Sequence, residues 1–398
     1  MRKTLSLFLL TILSAAMLGG CLNPIQLNER AIVQAVGIDW DGKNIRMTFQ
    51  VFSPAVEGGG GISATADNAK IIEASGNTVS EAVQNAMMVQ GKQLFVGHNR
   101  IVILGAELAK RGLEQPLSYF SANAWSRQGV YLAVASDTAN EILTAKINQG
   151  ILPAETLEKI VQNAEDNGAV RNVRLYEFLE ALQNKNESSF LPIMKLKGGE
   201  TGASGLEGEN GGKPQAGQTI DEVSSIEMAG TAVFSDAKLQ GELGKDASRG
   251  LLFIRDDMKQ TVIVTQTDNF ETAALRIFKS KSRLTPSIDG SDISFTLEIS
   301  CEATIGETMI REGKSTEALD IEQMSKAGEQ IIREECAAAF QKAAVEYQSD
   351  IFGFGNILWQ KDSDEWKKLQ EDWPEALSQI TLHVNPHIDI DRMGLEVE

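Results

Sequence analysis

Histidine and cysteine are nearly absent, three of each in 398 residues. So few cysteines exclude a disulfide-built scaffold. Positive charge is in deficit as well: 37 Lys and Arg stand against 55 Asp and Glu, a formal charge of -18. That balance excludes nucleic acid as a partner, because neutralised phosphates supply most of such affinity. No apolar run reaches the ~20 residues of a membrane-spanning helix. Catalytic signatures are missing too. There is no His-Glu-x-x-His and no Gly-x-Ser-x-Gly, and Ser235-Asp236-Ala237-Lys238 has none of the partner motifs that a Ser-x-x-Lys nucleophile needs. His383 and His387 share the outward face of a strand with Asp389 and Asp391, but four residues along a strand span ~13 Å, too far for one ion. The sequence therefore offers no enzyme, no metal site and no cofactor site.

What is present begins at the N-terminus. Arg2 and Lys3 precede an apolar run from Leu5 to Leu18 that ends in Leu18-Gly19-Gly20-Cys21. The run has the length of a signal-peptide core, and its end resembles a bacterial lipobox. Residues 1–20 are read as the signal and Cys21 as the site of lipid attachment. Two acyl chains on Cys21 hold a protein at a membrane where one does not. Cleavage removes two positive charges and makes the chain more acidic still.

The remaining chain reads as α+β, a multidomain arrangement of mixed sheets with helices packed on them. Ala31–Asp39 is a nearly continuous apolar strand, followed by an Asp41-Gly42 turn and an alternating return strand. Thr78-Val79-Ser80-Glu81 and Thr138-Ala139-Asn140-Glu141 are capping boxes that open helices, the first closed by Gly91. Eight of the twenty residues from Gly198 to Gly217 are glycine, which marks a linker or an insertion loop. Seven alternations from Ile293 to Ile305 predict a half-buried strand, and the apolar stripe from Ile321 to Tyr347 predicts a long C-terminal helix lying across an antiparallel sheet. The expected divisions are an N-terminal α/β domain over 21–197, a Gly-rich linker or loop over 198–224, a small middle domain over 225–285 and a C-terminal α/β domain over 286–398.

Cys301 and Cys336 fall on expected core faces. Two inert buried thiols are the favoured reading, with a disulfide left open. Trp359, Trp366 and Trp373 are spaced by seven, so that the first two fit one helix face. Ser363 is the expected N-cap of the helix carrying Trp366. With Phe352 and Phe354, the three tryptophans are candidates either for a partner surface or for a core stripe.

Several segments, in order, resemble the Ger(x)C family, the lipoprotein C subunits of bacterial spore germinant receptors. They are Leu27-Asn28-Glu29-Arg30-Ala31 with Gly37-Ile38-Asp39, Gly97-His98 leading into Arg100–Gly105, and Leu175-Tyr176-Glu177-Phe178-Leu179. Gly230–Phe234, Leu239–Leu243 and Gly250-Leu251-Leu252 follow. The most specific piece is Asp350-Ile351-Phe352-Gly353-Phe354-Gly355, with Trp366 and Trp373 behind it. The chain departs from the family in having Leu22-Asn23-Pro24 after Cys21 where Trp-Asp is common. The resemblance implies a non-enzymatic protein, lipid-anchored on the outer face of the inner spore membrane, acting with integral membrane A and B subunits to trigger germination. The alternative is an exported solute-binding lipoprotein that hands a small ligand to a transporter, for which two similar lobes would be expected.

Overall fold

The structure is a computed structural model that describes residues 30–52, 69–122, 126–146, 153–197, 224–289, 292–314 and 321–391. The signal segment, Cys21 and the Gly198–Gly217 stretch lie outside the described residues.

Two sheets organise the chain. The first is mixed and follows the order β10-β9-β8-β6-β5-β1-β2-β3. Its strands are β1 (Arg30–Trp40), β2 (Ile45–Phe52), β3 (Ala69–Gly76), β5 (Ile101–Leu104), β6 (Tyr131–Ala135), β8 (Phe190–Lys197), β9 (Ser225–Ser235) and β10 (Lys238–Leu243); β4 (Gln93–Phe95) pairs with the start of β1, and β7 (Val173–Arg174) with β6. β1, β5, β6 and β8 run parallel in the centre. Both faces of this centre are covered by helices, which is why β5 and β6 are uninterrupted apolar runs with every residue buried. On one face lie α1 (Val79–Gln90), α2 (Ala106–Arg111), α3 (Glu114–Ala122) and α6 (Leu175–Gln183); on the other lie α4 (Ala139–Thr144) and α5 (Pro153–Asp166).

The helix signals in the sequence act as read. Thr78 accepts from the Glu81 backbone N–H, and Gly91 closes α1 in the left-handed conformation. Thr138 caps α4 likewise, and a carboxylate helps it. Asp39, buried at the end of β1, accepts from the N–H groups of Ala139 at 2.7 Å and Asn140 at 3.0 Å. Burial pushes the Asp39 carboxyl up and those two donors pull it down. The Gly37-Ile38-Asp39 segment thus anchors α4 to the sheet.

The second sheet has the order β11-β12-β13-β14, formed by Thr261–Thr265, Phe270–Asp289, Asp292–Ile310 and Thr381–Asp391. It is antiparallel as expected through β13, but β14 returns parallel to β13 because the helices between them carry the chain back across the sheet. Residues 293, 295, 297, 299, 301 and 303 are all buried and their alternates are not, as the period of two requires. α8 (Ile321–Phe340) crosses the inner face, burying Met324, Ile332, Cys336 and Ala339. The helix expected as far as Tyr347 continues from Gln341 to Glu346 as a π-helical turn. α7 (Lys245–Ile254) packs against α8 so closely that a Cβ on Gly250 would meet the Glu335 carbonyl oxygen at 2.1 Å. One apolar core runs unbroken from the first sheet through α7 and α8 into the second.

Several expectations need correction. β9 and β10 extend the first sheet, with Phe190 opposite Val233 and Lys197 opposite Ser225, while β11 and β12 belong to the second. The expected middle unit over 225–285 is therefore divided between the two sheets, and its boundary at 285/286 falls within the continuous strand β12. Strand pairing, which a local pattern does not encode, makes this division. Of the two readings of the Gly-rich stretch, its place between the neighbouring antiparallel strands β8 and β9 fits the loop and not an interdomain linker. Finally, Trp359 and Trp366 do not share a helix. The backbone is extended at Asp362 (φ -149°, ψ 91°), which separates α9 (Phe354–Lys361) from α10 (Ser363–Leu369). Asp362, not Ser363, is the N-cap of α10, accepting from the backbone N–H groups of Asp364 and Glu365.

Candidate functional site: the Asp350 junction

The Asp350–Gly355 segment lies where the two sheets meet. Asp350 is fully buried and receives five N–H groups. Oδ1 accepts from the backbone of Phe352 (3.2 Å), Gly353 (2.9 Å) and Phe354 (3.1 Å); Oδ2 accepts from the Gly355 backbone (2.7 Å) and the Trp373 indole (3.2 Å). Desolvation pushes its carboxyl up to about 6, while the donors pull the other way. At neutral pH the group is a carboxylate, the form that can accept from all five donors. With every oxygen occupied, it has no lone pair directed at a substrate and is a structural hub rather than a base.

The hub reaches the first sheet through the loop between α6 and β8. The Asp350 carbonyl accepts from the Ser188 N–H at 2.8 Å. Arg255 donates to the Ile351 carbonyl at 2.6 Å and pairs with Glu187 at 3.3 Å, and the Asn356 amide donates to Glu187 at 2.6 Å. Gly353 adopts φ 81°, and a Cβ on Gly355 would meet the Asn186 carbonyl oxygen at 2.5 Å and the Trp366 ring at 2.7 Å. Both glycines of the Phe-Gly-Phe-Gly run are therefore demanded by geometry. Beside the loop is a polar cleft of ≈ 300 Å³ lined by Arg171, Glu177, Glu187, Arg255 and Asn356 among others. Its arginines are already paired, Arg171 with Glu177 and Asp257, and Arg255 with Glu187 and Asp257.

Of the candidate residues, Phe352, Phe354, Trp366 and Trp373 are buried. Phe354 stacks on Phe295 with centroids 4.4 Å apart and on Phe352 at 5.2 Å, and Trp366 meets Trp373 edge-on at 4.9 Å. Trp359 stands apart on α9, 51 % exposed. Cys21 lies outside the described residues. Cys301 and Cys336 are separate buried thiols; burial raises Cys301 to about 11 and Cys336 further. His383 and His387 lie on the outward face of β14 (Thr381–Asp391), and among the described residues no group of His, Cys, Asp and Glu is arranged to hold a metal.

Sequence reasoning missed the Arg249–Glu335 pair, in which the guanidinium on α7 holds a buried carboxylate on α8, with Nε to Oε2 at 2.8 Å. Burial pushes Glu335 up against the pull of Arg249. It also missed a larger open cleft of ≈ 1220 Å³ at the far end of the first sheet, between Trp40, Arg111, Tyr119 and Lys238. The Arg111 guanidinium lies 4.1 Å over the Trp40 ring there. Neither feature has a local signal, since each joins residues from distant parts of the chain.

A mixed first sheet that shares one core with a four-stranded second sheet, fastened at the Asp350 motif, defines a two-part α+β protein. Comparison with known proteins gives it a family. Residues 23–196 match the spore germination protein N-terminal domain, and residues 229–394 match the spore germination B3/GerAC-like C-terminal domain. The chain belongs to the Ger(x)C family of spore germination proteins, as the segments quoted above indicated. It is 25% identical to spore germination protein KC of Bacillus subtilis (strain 168), over 99% of this chain and 97% of that one. It is 19% identical to spore germination protein GerQC of Bacillus cereus, over 98% and 99%. The crystal structure of the GerBC protein shares the fold, with a TM-score of 0.56 at 16% identity, covering 92% of this chain and 99% of that one. The family is not one of known enzymes.

Proposed function

We propose that this chain is the lipid-anchored, non-enzymatic C subunit of a spore nutrient germinant receptor, working with integral membrane A and B subunits to trigger germination. The observation that carries this reading is that the two spore germination family domains lie in order along nearly the whole chain. The saturated Asp350 hub supports a part in assembly rather than in chemistry. The two sheets differ in size and strand order, which counts against the paired lobes of a solute-binding protein. No helix among the described residues is long and apolar enough to cross a membrane. On this reading Cys21 does the tethering, at the outer face of the inner spore membrane, and the exposed Trp359 is the candidate partner contact among the aromatic residues.

The test is germination of spores lacking this gene. Release of dipicolinic acid is followed after nutrients and after a trigger that bypasses nutrient receptors. The expected result is loss of the nutrient response alone, restored by the wild-type gene. An unchanged nutrient response in a strain without redundant receptors would reject the role. A Cys21→Ala variant is expected to fold, to lose membrane attachment and to lose most of the response; full function with membrane retention would sink the anchoring argument.

A further inference from the structure

The first sheet has two unlike ends. The Trp40 end carries the open cleft. The opposite end gathers the start of β1 at Arg30, the end of β2 at Phe52 and the start of β3 at Ala69, because Ile32 pairs with Phe52 and Phe52 with Ala69. β4 joins them in parallel with β1, Gln93 opposite Arg30. Since α1 turns directly into β4 through Gly91 and Lys92, the last turn of α1 also lies at this end.

That last turn is unusual for a surface helix. α1 buries Val79, Ala82, Val83 and Ala86. Met88 and Val89 fall outside that stripe and are 67 % and 78 % exposed, the two most exposed large apolar side chains among the described residues. Cations flank them: Lys92 and Lys70 are exposed, and the Arg30 guanidinium lies 5.0 Å from the centre of the Phe95 ring. The carboxylates on the same strands lie further along. Glu73 is opposite Thr48, which is opposite Gly37, seven residues up β1 from Arg30. Among the described residues, this end of a chain of formal charge -18 carries two exposed lysines beside two exposed apolar side chains.

We propose that the Arg30 end of the first sheet lies against the lipid bilayer, with Met88 and Val89 inserted among the headgroups and Lys70 and Lys92 facing anionic lipid. The proposal rests on the anchoring at Cys21 and deepens it, by assigning which end of the protein the membrane meets. Eight residues separate Cys21 from Arg30, a reach of at most about 30 Å, shorter than the strand it leads into. A tether of that length brings the Arg30 end to the surface first. Two apolar side chains beside lysines are what an interfacial contact requires: the tips enter the acyl boundary while the ammonium groups stay with phosphate. Neither contact is strong alone, and each adds to an anchor already in place. The Trp40 cleft then opens on the side away from the lipid.

The experiment uses the full-length lipidated protein in liposomes containing phosphatidylglycerol and a nitroxide-labelled lipid. A fluorophore is placed through Val89→Cys, and separately through Lys43→Cys in the turn after Trp40; Lys92→Cys replaces the first if that variant does not fold. The buried Cys301 and Cys336 leave the introduced thiol as the reactive one. Quenching is expected to be several-fold stronger at position 89 than at 43, and a Lys70→Glu, Lys92→Glu variant is expected to weaken it. Equal quenching at both positions, or stronger quenching at 43, overturns the proposal. Shielding of position 89 that needs the A and B subunits and shows no lipid quenching overturns it in favour of a protein contact. Intact mass and flotation are read on the same samples. A diacylated protein that floats without quenching at 89 defeats the orientation alone, whereas an unmodified protein that stays in solution defeats the anchoring reading and the orientation with it.

Discussion

At the scale of single residues, the segment most diagnostic of the family is explained by burial. Asp350 organises four backbone N–H groups and one indole. Asp350→Asn replaces one oxygen by an NH2 group that faces donors, leaving buried groups unpaired at a cost of roughly 2–4 kcal/mol, readable as a lowered denaturant midpoint. The carboxyl itself should titrate with a midpoint near 6 by carbon NMR; a midpoint below 4 would show that the donors outweigh burial. The sign for stability follows. Its folded value is raised above the ordinary 3.8 of an aspartate, so the native state holds the extra proton between those limits. Asp350's contribution to stability therefore falls as pH rises from about 4 to about 6 and is constant above. Phe354→Ala should cost about 3–5 kcal/mol because it empties the stack on Phe295. Trp359→Ala, on the exposed side of α9, should stay within about 0.5 kcal/mol of the parent. If the receptor response nevertheless falls in the Trp359 variant, the ring serves a partner and not the fold.

At the scale of elements, short-range chemistry decides where helices begin and end. Thr78 and Thr138 cap as their spacing indicates, but Asp362 competes with Ser363 for α10 and wins. A carboxylate at that position accepts two backbone N–H groups and also answers the helix dipole. Asp362→Ala should cost about 1 kcal/mol, measured by thermal or denaturant unfolding, and Ser363→Ala much less. The contact between α7 and α8 is set by Gly250, whose missing side chain lets the Glu335 backbone approach. Gly250→Ala should separate the two helices and strain the Arg249–Glu335 pair they share. Loss of several kcal/mol is expected; an unaffected unfolding midpoint would mean that the helices have room to move apart.

At the scale of the whole molecule, the two sheets share one core. Residues from β1 to β14 belong to a continuous buried cluster, and the Asp350 hub, Arg255 and Glu187 fasten the seam. Two parts so joined should unfold together. Calorimetry is expected to show a single transition, and two separated transitions would show that the seam is weaker than its contacts indicate. Under the proposed orientation the seam is a rigid link from the membrane-facing end of the first sheet to the second.

Much of this was legible in the chain. The apolar run of β1, the alternation of β13, the caps of α1 and α4 and the stripe of α8 are local periodicities, and local periodicity is the signal that secondary structure leaves in sequence. The ordered segments from Leu27 to Trp373 identified the family, and the α+β class followed from the same patterns. Tertiary structure alone decided the rest. It placed β9 and β10 in the first sheet, chose the loop over the linker for the Gly-rich stretch, and sent Trp366 inward while leaving Trp359 outside. It also brought Arg249 to Glu335 and Met88 to the Arg30 end of the first sheet. Each of these depends on strand pairing or on contact between residues far apart in the chain. Such contacts are chosen by the packing of the whole core, which no window of neighbouring residues contains.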